Sequence, residues 1–170
     1  MSKAFLREDS IQDEDLPPPP ARALPPGTKN YITAAGLGRL RQQLADLAAR
    51  RSSLLENRSD PDARRRSQIL EQRQRYLQQS LQTAEVVPTS LESPDVVRFG
   101  STVTVRDQAG AESVYRIVGV DETDLDRGDV SWQSPLAQAL LNARKGERVR
   151  FKAPRGELEL EIVAIAVEPD

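Results

Sequence analysis

The apolar residues of this 170-residue chain change their spacing once, near Val87-Pro88, and that change limits the folds open to it. Before it, Leu37, Leu40, Leu44, Leu47 and Leu54 recur on alternating three- and four-residue steps, with Arg51 taking one position, which is the spacing of a seam between packed helices. After it, Val103 and Val105 alternate with Thr102, Thr104 and Arg106, the period-two pattern of a half-buried strand. A second alternating run is read through Val114, Arg116, Val118 and Val120. Helices followed by strands, not interleaved with them, point to an α+β chain.

Local signals place the elements. Thr33 is a candidate N-cap, and with no proline before Pro61 a helix over residues 34–57 would run about 36 Å. Asp60-Pro61 then ends one helix and starts another, because the residue before proline leaves the α region while Asp caps and Pro suits the first turn. Ile69, Leu70, Tyr76, Leu77, Leu81 and Ala84 give the second helix an apolar side, so the two close into an antiparallel hairpin. Beyond it, Ala109-Gly110 suits a turn between the two alternating runs, and a short third strand spans Asp129 to Gln133. Ser134-Pro135 opens a helix of about two and a half turns that ends by Gly146. Two further strands, Arg148 to Ala153 and Leu158 to Val167, flank the turn Pro154-Arg155-Gly156 and complete an antiparallel sheet packed on one helix. The division is a proline-rich flexible tail over 1–30, holding six of the 12 prolines, a coiled-coil hairpin over 31–86, and a globular α+β domain over 87–170.

Composition closes off several chemistries. With no Cys and no His, the chain has no thiolate or imidazole for a metal site and no base for a Ser-His or Cys-His pair. No stretch approaches the roughly 20 apolar residues of a membrane helix, and the first ten residues lack the apolar run of a secretion signal, so a soluble, cytoplasmic protein without a membrane role is expected. The charges nearly cancel, 24 basic against 26 acidic, but they segregate: residues 31–85 carry net +4 and residues 86–170 carry net −5. Eight arginines lie in the outer half of the hairpin, and Arg58, Arg64, Arg65 and Arg66 are the candidate contacts to nucleic-acid phosphates. The acids Asp121, Glu122, Asp124, Asp126 and Asp129 do not fit the EF-hand spacing and read as a solvated surface turn.

Specific phrases carry more. Tyr31-Ile32-Thr33 leading to Gly36-Leu37-Gly38-Arg39-Leu40, Val97-Arg98-Phe99-Gly100-Ser101-Thr102-Val103, the run Tyr115 to Glu122, and Ser134-Pro135-Leu136-Ala137-Gln138-Ala139-Leu140-Leu141 together make the chain resemble the GreA/GreB family of transcript-cleavage elongation factors, nearer the GreB side. The resemblance spans about residues 31–167 in order. It implies an FKBP-like sheet domain bound to the rim of the secondary channel of bacterial RNA polymerase, with the hairpin entering that channel. It implies that Gln133, Ser134, Pro135 and Leu136 make the polymerase contact. Cleavage in the family is the polymerase's own, with its Mg²⁺, so no cofactor of the chain itself and no small-molecule substrate are expected. The factor's tip adds carboxylates, since hard oxygen ligands suit Mg²⁺.

The tip is where this chain departs from the family. The acidic loop is replaced by Glu56-Asn57-Arg58-Ser59-Asp60-Pro61-Asp62, and each arm is shorter by about two turns, or about 10 Å. The expected function is therefore a Gre-like polymerase-binding transcription regulator with weak or no cleavage stimulation, not an enzyme in its own right. The alternative is a working cleavage factor in which Asp60 and Asp62, with Glu56 near them, replace the usual acids and the arm meets nascent RNA. A prolyl isomerase is implied by the FKBP-like fold alone, and Trp132, the only Trp, offers little lining for a proline pocket. An unrelated coiled-coil adaptor would show no affinity for polymerase.

Overall fold

The computed structural model describes residues 24–56, 59–88 and 95–167. Most of the proline-rich segment, together with Asn57 and Arg58, lies outside the described residues. Strand β1 (Asn30–Ile32) leads into helix α1 (Ala34–Glu56), and helix α2 (Pro61–Thr83) runs back to strand β2 (Ala84–Val86). At 23 residues each, the helices are about 35 Å long. The capping signals hold: Thr33 Oγ1 accepts from Gly36 N–H at 2.9 Å, and Asp60 caps α2, accepting from Asp62 N–H at 2.9 Å with Pro61 in the first turn.

Leu40 and Leu47 of α1 close against Leu70 and Leu77 of α2, with Leu37, Leu44, Leu54, Tyr76 and Leu81 packed around them. The seam of α2 is less apolar than its leucines suggest. Ala63, Ser67 and Ser80 are also buried on it, because small side chains fit where two helices approach closely. At Arg51 the seam admits charge: its Nη2 lies 3.1 Å from Glu71 Oε2 across the hairpin. The base is tied by a feature absent from the periodicity, a two-stranded parallel pairing of β1 with β2 in the register Tyr31↔Glu85.

The second unit is a five-stranded sheet in the order β5-β4-β3-β7-β6, built from β3 (Ser101–Arg106), β4 (Glu112–Val118), β5 (Asp129–Ser131), β6 (Arg148–Ala153) and β7 (Gly156–Val167). It is antiparallel except where β5 runs parallel to β4. That pair is joined by two 3₁₀ turns, Val120–Glu122 and Leu125–Arg127, long enough to bring the chain back in the same direction. Helix α3 (Pro135–Leu140) touches both β5 and β6, so the sheet curls until its two edges meet one short helix. Val97, Val103, Val105, Ile117, Ala137, Leu140 and Ile162 form the core beneath it.

Three expectations are corrected here. β4 packs Tyr115 and Ile117 on the sheet core, and Val118 is buried as expected, whereas Val114 is 54% exposed and Val120 lies in the 3₁₀ turn. β-Branched residues fill both faces of this strand, and apolarity alone cannot set its phase. Helix α3 ends at Leu140 and not near Gly146, because Asn142 takes a positive φ of 68° and residues 142–143 exchange backbone hydrogen bonds with Val97 instead of extending the helix. The acidic turn is not uniformly solvated: Glu122 is 7% and Asp129 5% exposed.

On its outer face the sheet carries a row of alternating charge across four strands, Glu112, Arg106, Glu161 and Arg148 in register, with Arg106 Nη2 2.7 Å from Glu112 Oε1. Opposite charges facing one another explain how this side stays in water while the other is core.

Candidate functional site

At the hairpin tip, Glu56, Asp60 and Asp62 are all exposed. They are not equivalent, since Asp60 Oδ1 is occupied by the Asp62 amide. Asp60 is the N-cap of α2 and Asp62 lies in its first turn.

The arginines divide into two groups. Arg64, Arg65 and Arg66 are exposed on α2, but as successive helical residues they point about 100° apart and fan around the rod. Further along, Glu71 is bracketed by Arg51 at 3.1 Å and Arg75 at 2.5 Å, and the hydrogen bond from Arg75, then the field of Arg51, hold its carboxyl below the usual range. The Arg73 guanidinium lies over the Tyr76 ring, 5.2 Å from its centre. Arg58 falls outside the described residues.

The proposed docking residues follow β5 directly. Ser134 Oγ accepts from Ala137 N–H at 3.1 Å and caps α3, Pro135 is exposed at its first position, Leu136 packs half-buried against the sheet core, and Gln133 is partly exposed. Trp132, immediately before them, packs on Tyr31 of β1 with ring centres 5.2 Å apart, and Tyr31 meets Phe99 edge-on at 6.1 Å. The segment that follows β5 is thereby bound to the hairpin base, and one face of the lone Trp is covered.

Between hairpin and sheet lies a joint whose role composition does not announce. The side chain of Glu122 is fully buried. Its Oε2 accepts from Thr33 N–H at 3.0 Å and Gly119 N–H at 2.9 Å; its Oε1 accepts from Thr33 Oγ1–H at 2.5 Å and from Arg39 Nη2–H at 3.1 Å. Four donors, one cationic, offset the cost of burying this carboxylate. The adjacent Asp121 turns to the other helix, accepting from Tyr76 Oη–H at 2.5 Å and from Ser80 Oγ–H. Burial, then the bond to Asp121, pushes the Tyr76 phenol well above its ordinary range, so it stays protonated and keeps donating. Asn30 Nδ2 donates to Ser80 O at 3.1 Å and Thr83 Oγ1 at 3.2 Å, tying β1 to the same end of α2. Asp121-Glu122 ends one of the phrases that carry the resemblance given above, but nothing in its spacing says which acid is buried.

The chain is similar in sequence to known proteins. The family model described as "Transcription elongation factor, GreA/GreB, C-term" matches residues 92–167. The chain is 37% identical over 153 residues to "Transcription elongation factor GreB" of Neisseria meningitidis serogroup B, covering 81% of this chain and 94% of that protein. It is 40% identical over 128 residues to "Transcription elongation factor GreA" of Pelobacter propionicus, covering 74% and 81%. A solved "Prokaryotic transcription elongation factor GreA/GreB from Nitrosomonas europaea" is 25% identical over 82% of this chain and 98% of that one, with a TM-score of 0.41, and the fold assignment rests on the elements described above and not on that score.

Proposed function

This chain belongs to the GreA/GreB family of transcription elongation factors, and from that premise we propose that it binds bacterial RNA polymerase, inserts its hairpin in the secondary channel, and stimulates RNA cleavage weakly or not at all. The observation that carries the reading is the pair of short, zipped rods, each about 35 Å, ending in a tip where Asp60 is engaged as a helix cap. A carboxylate ligates Mg²⁺ at about 2.0–2.1 Å, so a shortfall of about 10 Å in reach removes its help even if the charge is right. The globular unit supplies the contact through Gln133, Ser134, Pro135 and Leu136, and the fan of Arg64, Arg65 and Arg66 around the exposed rod brings one guanidinium at a time towards nascent RNA in the complex.

Any cleavage would be the polymerase's chemistry, with Mg²⁺ held by the polymerase. Of this chain's oxygens, those of Glu56 and Asp62 and the second oxygen of Asp60 are exposed at the tip, which keeps a working cleavage factor as the second reading.

Equilibrium binding to purified core polymerase, in competition with an ordinary cleavage factor, tests the proposal. The parent and Asp60→Ala/Asp62→Ala are expected to bind alike and to displace the competitor, while the double variant loses about 1 kcal/mol of stability with its cap. No binding by the parent, or binding that leaves the competitor in place, would refute the reading.

A further inference from the structure

We propose that Asp121 and Glu122 are positioning residues: one 3₁₀ turn holds the two helices separately, one carboxylate to each, and so fixes the direction in which the hairpin leaves the docking face. The proposal rests on the polymerase-binding reading for its consequence, but not for its geometry.

The assignment follows from where each donor sits. Glu122 takes the first turn of α1 through the Thr33 amide and hydroxyl and Arg39. Asp121 takes the last two turns of α2 through Tyr76 and Ser80. A single contact would leave the rod free to pivot about it, whereas two contacts on different helices, together with Trp132 against Tyr31, define a plane. The turn is itself fixed to the segment carrying the docking residues: Gly119 N–H, at its start, donates to Glu122, and one residue earlier Val118 O accepts from Trp132 N–H at 2.9 Å. From Pro135 to Thr33 the path is thus a few residues joined by short hydrogen bonds.

Leverage makes this matter. For a rod of about 35 Å, a tilt of about 10° at the joint moves the tip by about 6 Å. A displacement of that size is longer than any hydrogen bond, so it changes which groups the tip meets. The joint then decides where the end of the arm lies.

The test uses the full chain, which has no cysteine to interfere with labelling. Nitroxides on Ser59→Cys at the tip and Gln108→Cys on the β3–β4 turn report the angle through their distance distribution. The parent is expected to give one narrow peak, and Asp121→Ala/Glu122→Ala a broad one, with the helical circular dichroism retained. Asp121→Asn, which keeps an acceptor for Tyr76 and offers an amide to Ser80, is expected to keep the narrow peak. With polymerase, a photocrosslinker at Ser59 should lose about fivefold or more of its yield in the double variant, while affinity, set by the docking face, changes by less than about twofold. A narrow peak in the folded double variant overturns the proposal. Should that variant fail to fold, Tyr76→Phe/Ser80→Ala removes both donors to Asp121, and a narrow peak there overturns it equally. Absence of polymerase binding by the parent would refute the polymerase reading and leave the distance result to judge the joint.

Discussion

Gly36→Ala is expected to unfasten the hairpin from the sheet and cost about 3 kcal/mol, while Gly38→Ala, two residues on, is expected to gain about 0.5–1 kcal/mol. Helix propensity alone favours both changes equally. A Cβ on Gly36, however, would stand 1.9 Å from Oε1 and 2.1 Å from Cδ of Glu122, atoms that cannot swing away because the buried carboxylate is fixed by four donors. At Gly38 a Cβ meets nothing within 4 Å. Overpacking of about 1–3 kcal/mol, added to loss of part of a buried charged network, outweighs a propensity gain below about 1 kcal/mol. Urea unfolding followed by far-UV circular dichroism reads both signs. Equal stabilisation by the two substitutions would show that Glu122 does not hold α1.

The second large effect is expected on the docking face. Pro135→Ala should weaken polymerase binding about tenfold, or about 1.4 kcal/mol, without shifting the unfolding midpoint by more than a few degrees, because Pro135 is exposed and its neighbour Ser134 still caps α3. Leu136→Asp should abolish binding and also destabilise the domain, since it places a charge against the sheet core. Reading the two together separates contact from folding. Full affinity in both variants would move the docking surface elsewhere.

How far the residues alone announce this architecture depends on the range of the interaction. The seam through Leu37, Leu40, Leu44 and Leu47, the Thr33 and Asp60 caps and the Ser134-Pro135 helix start are all local, involving residues within one or two turns, and they are legible. Arg51 on the seam was visible as an interruption, but not its partner, Glu71, on the other helix. The phase of β4 was hidden because Val114 and Ile117 are equally apolar, and only the pairing with β3 says which faces inward. The joint was least visible of all. Glu122 and Thr33 are 89 residues apart, and five acids in a short stretch resemble solvated surface until the fold buries two of them, Glu122 and Asp129. The shared Gre phrases pointed to the region without giving its physical reason, which is a carboxylate supplying acceptors to a helix start and a strand end.

The account as a whole stands on an arm that is held in place yet too short to assist chemistry. A backtracked elongation complex, supplied with Mg²⁺ and saturated with this protein, measures that directly through the rate at which short 3′ RNA fragments appear, alone and in the presence of an ordinary cleavage factor. The expected result is little release above the polymerase's own rate and suppression of the release that the second factor would otherwise cause. Release at the ordinary factor's rate, lost on Asp60→Ala/Asp62→Ala, would contradict it.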